Sequence, residues 1–108
     1  MAKKVLGQSN PSATTATTLY TVPASKEAVV SSISICNLAS SSATYRIAVR
    51  PGGATLANQH YLAYDVTVGA ADTTIITVGI TLATTDVITI YASTANLAFS
   101  AFGDEASV

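Results

Sequence analysis

The chain has 108 residues and a mass of 11.0 kDa, which is enough for one domain with one hydrophobic core. Hydrophobic residues make up 49% of it, charged residues make up 10%, and the mean hydropathy is +0.45, so the composition excludes intrinsic disorder, which requires low hydrophobicity and high charge. The net charge of −1 leaves too little positive charge to neutralise phosphates, so we expect no nucleic acid as a partner.

The chain begins with a segment that has no periodic apolar face. Residues 9–12 (SNPS) have turn chemistry, and residues 13–18 (ATTATT) show neither a helical nor a strand pattern. Two lysines stand near the start, but no apolar run of about 7–15 residues follows them, so we expect no secretory signal peptide. The sequence predicts an extended N-terminal arm over residues 1–18.

From Leu19 onward the pattern changes to short runs of β-branched and aromatic residues separated by small turn residues. Seven strands are predicted, over residues 19–22, 29–36, 43–50, 61–68, 73–82, 87–91 and 97–102. Ser and Thr interrupt every hydrophobic run well before the roughly 18–20 residues of a membrane helix, so we expect no membrane as a partner.

Alternation of apolar and polar residues assigns faces to these strands. Tyr45, Ile47 and Val49 are predicted to point inward from residues 43–50. In residues 29–36 the inward positions are Val29, Ile33 and Ile35.

The fold class follows from the number and spacing of the strands. Seven short strands, with turn signals every 8–12 residues and no convincing helix, favour an all-β fold. We expect an antiparallel β-sandwich over residues 19–108, either a jelly roll or an Ig-like sandwich.

The scarcity of charge has two possible explanations. Edge strands of solitary domains are usually protected by Lys, Glu or Pro, yet residues 73–85 carry no charge. One explanation is that Ser and Thr hydroxyls solvate the outer faces. The other is that partner subunits cover much of the surface, because interface cores are depleted in charged residues.

The sequence offers few groups for catalysis. A Ser-His-Asp arrangement would have to use His60, the only histidine, with Asp65 as a candidate orienting group, but no Gly-x-Ser-x-Gly motif accompanies it. We expect His60 to make a loop hydrogen bond or a contact between subunits. Residues 51–53 (PGG) are predicted to form a tight turn rather than a phosphate-binding loop. We expect no enzyme activity and no catalytic residue.

Metal and cofactor sites are equally unsupported. Asp65, Asp72 and Asp86 are too widely spaced for a calcium loop and lie beside turns, where Asp usually bonds local backbone. Cys36 is the only cysteine, which rules out an internal disulfide, and no basic residue is adjacent to activate its thiol, so we expect it to pack as a small hydrophobic residue. We expect no metal and no cofactor.

Tyrosines are the remaining candidates, because Trp is absent. Tyr45 and Tyr91 are expected to pack in the core or across strands. Tyr61 and Tyr64 are predicted to lie on opposite faces of their strand, so that one of them is exposed or at an interface. Exposed tyrosines anchor protein interfaces and also stack on sugar rings.

Short phrases spread over the chain carry a resemblance to a known class. They are residues 6–8 (LGQ), 19–24 (LYTVPA), 33–37 (ISICN), 45–54 (YRIAVRPGGA), 61–65 (YLAYD), 79–82 (GITL), 86–87 (DV) and 101–103 (AFG). In these phrases the chain resembles small virion structural proteins of tailed bacteriophages, particularly those that infect cyanobacteria and marine bacteria. The resemblance includes no functional-site motif, so it transfers no catalytic residue.

The resemblance implies a β-sandwich that sits on a virion. The leading expectation is a capsid decoration (cement) protein, made in the bacterial cytoplasm and bound as a homotrimer to the major capsid protein on the outside of the head. The alternative is a tail, baseplate or fibre protein that contributes to host-surface recognition. The candidate contact residues are Lys3, Lys4, Val5, Leu6 and Pro11 in the arm, and Arg46, Arg50, His60 and Tyr61 in the sandwich.

Overall fold

β-Strands are the main secondary structure of the chain. The computed structural model describes the backbone of residues 2–108 and the side chains of all of these except Ala2 and Val78. The strands are β1 (Ala2–Ser9), β2 (Thr17–Thr21), β3 (Lys26–Asn37), β4 (Ala43–Arg50), β5 (Tyr61–Val68), β6 (Thr73–Leu82), β7 (Val87–Ala92) and β8 (Leu97–Ser107). Two 3-10 turns, Pro51–Gly53 and Asn58–His60, lie between β4 and β5. The predicted all-β class is confirmed, and the seven predicted strands correspond to β2–β8.

The eight strands form two four-stranded antiparallel sheets. Their order is β1-β8-β3-β6 in sheet A and β2-β7-β4-β5 in sheet B. The pairs are nested, with β4 on β5, β3 on β6, β2 on β7 and β1 on β8, as if one long hairpin had been rolled up. Of the two sandwich types that the sequence allowed, this order is that of an eight-stranded jelly roll.

The core fills the space between the two sheets with alternate residues of each strand. Ile33 and Ile35 of sheet A face Tyr45 and Ile47 of sheet B, and the Tyr45 ring meets Phe99 edge to face with centroids 6.4 Å apart. Val49 also packs against this core, so the faces predicted for β4 are confirmed.

One predicted face is wrong. Val29 is exposed, whereas its neighbour Val30 is fully buried. The pairing of β3 with both β6 and β8 shifts between Val30 and Ser32. This β-bulge reverses the alternation on one side of Ser31, and a simple period of two cannot reveal it.

The N-terminal arm is also corrected, because most of it belongs to the sandwich. Ala2–Ser9 forms strand β1, which pairs along β8 with Ala2 opposite Glu105 and Ser9 opposite Phe99. The predicted boundary at residue 18 falls within β2, and Met1 lies outside the described residues. An edge strand pairs with only one neighbouring strand and is partly exposed, so it needs fewer apolar residues than a central strand. The alternation of apolar and polar residues that predicts a strand is therefore weak in β1.

The segment between β4 and β5 folds over the outer face of sheet B. Arg50 holds it there, because its guanidinium donates to Thr89 Oγ1 at 2.9 Å and to the carbonyl of Ala54 at 3.0 Å. The predicted tight turn is present, with Gly52 and Gly53 in the left-handed region at φ of 61° and 74°. Because this segment covers it, Thr89 is buried although it points outward from sheet B.

Candidate functional site

The outer face of sheet A, called face A below, carries no charged side chain over most of its area. Its outward positions alternate with buried core residues. Face A consists of Val5, Gln8, Ser32, Ser34, Cys36, Thr73, Ile75, Thr77, Ala98, Ser100 and Phe102. Val5 and Phe102 lie opposite each other in adjacent strands, and Ile75 is 66% exposed on the edge strand β6. Face A is thus a surface of hydroxyl, small and apolar groups.

Charged residues of sheet A are collected at one end of the sandwich, called the charged end. It contains Lys3, Lys4, Lys26, Glu27, Asp104 and Glu105, three basic and three acidic residues. At its centre Glu105 accepts a hydrogen bond from Tyr20 at 2.5 Å and lies 2.9 Å from Lys4 Nζ. The hydrogen bonds from Lys4 and Tyr20 lower the pKa of Glu105, while burial and the neighbouring carboxylate raise the pKa of Tyr20. The hydrogen bond from Tyr20 of β2 to Glu105 of β8 joins sheet B to sheet A.

The outer face of sheet B carries an aromatic cluster built around Arg46. The guanidinium lies between two tyrosine rings, 4.1 Å from the centroid of Tyr64 and 4.2 Å from that of Tyr91. It also donates two hydrogen bonds to Asp65, at 2.7 and 3.3 Å. These bonds raise the pKa of Arg46 and lower the pKa of Asp65. Arg46 is therefore fixed in position and its charge is compensated.

Bulges in β5 explain how two adjacent residues both reach Arg46. Pairing with β4 shifts between Tyr45 and Ile47, where β5 has one extra residue, and Asp65 takes a positive φ of 53°. Tyr64 and Asp65 therefore both face Arg46, whereas strict alternation would separate them.

The same irregularity overturns the prediction for the two tyrosines of β5. A second shift lies between Ile47 and Ala48 of β4, and together the two shifts bring Tyr61 to the same face as Tyr64. Their rings meet nearly perpendicularly, at 86° with centroids 4.9 Å apart.

An open hollow of about 330 Å³ lies beside these rings, lined by Asn58, Tyr61 and Tyr64. Asn58 belongs to the segment that Arg50 anchors. The loop is fixed further by His60, whose Nδ1 accepts the backbone N–H of Ala57 at 3.0 Å. The loop hydrogen bond expected for His60 is thus present.

The candidate contact residues do not form one surface. Lys3, Lys4 and Val5 are exposed on β1, where Val5 belongs to face A and Lys3 borders it, and Leu6 packs partly against the core. Pro11 is buried within the chain.

The remaining candidates belong to the other sheet. Arg46 and Tyr61 join the aromatic cluster, whereas Arg50 and His60 hold the loop between β4 and β5. The nine candidate residues are therefore distributed over different parts of the molecule.

Groups considered for catalysis or metal binding make other contacts. Asp65 binds Arg46 rather than His60, Asp72 accepts the N–H of Thr73, and Asp86 accepts the N–H groups of Gly52 and Ala83. Within residues 2–108, no three His, Cys, Asp or Glu side chains lie close enough to share a metal ion. The same residues contain no helix that is long and apolar enough to cross a bilayer.

Comparison with known proteins adds no relative. No protein-family model matches the chain, and neither a curated protein nor a solved structure matches it.

Proposed function

We propose that this chain is a structural protein of a tailed-bacteriophage virion, which binds as a homotrimer to the major capsid protein on the outside of the head and stabilises the shell. The proposal involves no catalysis and no cofactor. Its fold is compatible, since eight-stranded jelly rolls build viral capsid domains, but they also build lectins and cupins. A fold alone does not select a function, so the proposal needs a surface that fits it.

Face A is the observation that carries the proposal. Interface cores are depleted in charged residues because those residues are costly to desolvate. Face A spans all four strands of sheet A without a charge, and its edge strand β6 has none of the Lys or Glu residues that usually protect an exposed edge. The charges of this sheet lie at one end, where they do not obstruct contact. The resemblance to phage virion proteins supplies the identity of the partner.

A binding experiment with shells that lack this chain tests the proposal. Purified wild-type protein is expected to bind such shells and to raise the temperature at which they open. Ser34 lies on central strand β3 in the middle of face A, so Ser34→Glu is expected to abolish both effects. Thr67→Glu, an equivalent change at an exposed position of sheet B, is the matched control and is expected to bind normally.

Two results would count against the capsid role. The first is that wild-type protein does not bind the shells. The second is that both variants bind as tightly as the wild type, since face A would then take part neither in the contact between copies nor in the contact with the shell.

The aromatic cluster favours a second candidate, a tail, baseplate or fibre protein that contributes to host-surface recognition. Tyr64 is 55% exposed and stands beside an open hollow on the sheet opposite face A. Exposed aromatic rings of this kind bind ligands in many recognition proteins. The number of copies per virion separates the two candidates, because decoration of the head requires hundreds of copies and a tail position only a few dozen.

A further inference from the structure

We propose that Asn58, Tyr61 and Tyr64 form a binding site for a neutral sugar ring on the outer face of sheet B. The site gives the second candidate function a ligand class and specific residues. It does not rest on the capsid role, because it lies on the opposite side of the sandwich from face A and is tested on the isolated protein.

The shape of the site is that of an aromatic corner. The rings of Tyr61 and Tyr64 stand at 86° to each other and border the hollow of about 330 Å³. This volume lies at the lower end of the roughly 300–1,000 Å³ typical of small-ligand sites. A pyranose ring has a face of C–H groups, which stacks on one aromatic ring while its edge meets the second.

The corner is held in place before any ligand arrives. Arg46 lies on one face of Tyr64 and is itself fixed by Tyr91 and by two hydrogen bonds from its guanidinium to Asp65. Tyr61 packs against the Tyr64 ring. Because these side chains are already ordered, binding costs little conformational entropy, and a weak stacking contact can give measurable affinity.

Charge balance decides which sugars fit. The Arg46 guanidinium lies against the Tyr64 ring, and its bidentate contact with Asp65 compensates its charge. The three described residues that line the hollow carry no positive charge, so the lining offers no ion pair to an anionic sugar or a phosphate. The Asn58 amide and the two phenol hydroxyls supply both donors and acceptors for neutral sugar hydroxyls.

A protein partner fits this site less well. Stable protein interfaces bury about 800 Å² on each partner around a desolvated centre. The corner presents two rings and one amide around an open hollow, which suits a single small ring. The protein partner that the test must still distinguish from a sugar is a second copy of this chain.

The test is an NMR titration of the full chain with neutral trisaccharides of glucose, mannose, galactose and N-acetylglucosamine, into the millimolar range. At least one of them is expected to shift the backbone resonances of Asn58, Tyr61 and Tyr64 saturably. A trisaccharide of galacturonic acid is expected to bind no more tightly than its neutral counterpart. Tyr64→Ala should raise the Kd at least about tenfold, which corresponds to about 1.4 kcal/mol.

Leu62→Ala is the matched control, because Leu62 is an exposed apolar residue of the same strand that does not line the hollow. It is expected to keep the wild-type Kd within about twofold, and circular dichroism establishes that both variants are folded. The proposal is overturned if no saccharide causes a saturable shift, or if Tyr64→Ala binds as the wild type does. It is also overturned if Tyr64→Ala affects only self-association in sedimentation, because the cluster is then a contact between copies.

Discussion

At the scale of single residues, Asn37 stabilises one end of the sandwich from a buried position. Its Nδ2 donates to the carbonyls of Ser41 at 2.9 Å and Gly69 at 3.1 Å, and its Oδ1 accepts the N–H of Ala39 at 3.0 Å. The side chain thus ties the loop after β3 to the loop after β5. In the sequence it looks like an ordinary turn residue, because nothing local reveals that its partner carbonyl at Gly69 lies 32 positions away.

Asn37→Ala is expected to lower the free energy of unfolding by about 1–3 kcal/mol, because buried carbonyl and N–H groups lose their partners. Urea unfolding monitored by circular dichroism measures this loss. The control is Ser40→Ala, an exposed position of the same loop, which is expected to change stability by no more than about 0.5 kcal/mol. Equal stability of the two variants would show that the Asn37 hydrogen bonds contribute nothing net.

A second residue-scale prediction concerns pH. Lys4 and Tyr20 lower the folded-state pKa of Glu105, so their contribution is present above the unfolded-state pKa and is lost as pH falls through the folded value. Tyr20→Phe removes one donor and is expected to raise the pKa of Glu105 toward its ordinary range. The stability that it loses should be greater at neutral pH than under acidic conditions.

NMR titration of the side-chain carboxyl groups measures the pKa of Glu105 directly, and urea unfolding at neutral and at acidic pH measures the free energy of unfolding. Tyr91→Phe is the control, because Tyr91 lies on the outer face of sheet B beside Arg46. A Glu105 pKa that is unchanged by Tyr20→Phe would contradict the role given to this hydrogen bond.

At the scale of elements, alternation predicted where strands lie better than where their side chains point. The pattern of Thr73–Leu82 gave the bounds of β6, and Tyr45 and Ile47 face the core as expected. The predicted side of the sheet is wrong at β-bulges, where one extra residue reverses the alternation, as at Val29 and at Tyr64. The aromatic cluster could not be predicted for the same reason, since a bulge depends on the partner strand as well as on the local sequence.

Strand β1 was not predicted because two of its inward positions are not occupied by apolar side chains. They are Lys4, which Glu105 neutralises, and Gly7, which has no side chain, so the apolar alternation is missing. That glycine is nevertheless required. A Cβ atom at position 7 would lie 2.1 Å from the carbonyl oxygen of Leu19 in β2, which is backbone and cannot rotate away. Close approach of the two edge strands β1 and β2 thus depends on Gly7.

Gly7→Ala is therefore expected to destabilise the fold by about 1–3 kcal/mol, the usual range for overpacking. Thermal and urea unfolding measure the change. Gly69→Ala is the matched control, because its added methyl group would lie at an ordinary 3.6 Å from Asp72. If Gly7→Ala were as stable as the control, residues 2–9 would not be docked as a strand, and the expected free arm would be restored.

At the scale of the whole molecule, the jelly roll separates three kinds of surface. Face A is uncharged, the charged end lies at one extremity of the same sheet, and the aromatic cluster lies on the opposite sheet. The nested pairing produces this separation, because it sends alternate strands of each half of the chain to different sheets. A subunit packed through face A would leave the aromatic corner accessible, so the two proposals are compatible in one particle.

The separation also predicts how the proposed self-association responds to salt. Screening shortens the reach of charges from about 10 Å at 0.1 M salt to about 3 Å at 1 M, so an interface built on the charged end would weaken strongly over this range. An interface built on face A contains no ion pair to screen, and its apolar contacts persist. Sedimentation equilibrium at low and high salt is therefore expected to show a dissociation constant that changes little, while Ser34→Glu raises it at least about tenfold by placing a charge in a desolvated surface. Dissociation by salt alone, with Ser34→Glu associating normally, would place the contact between copies at the charged end and not on face A.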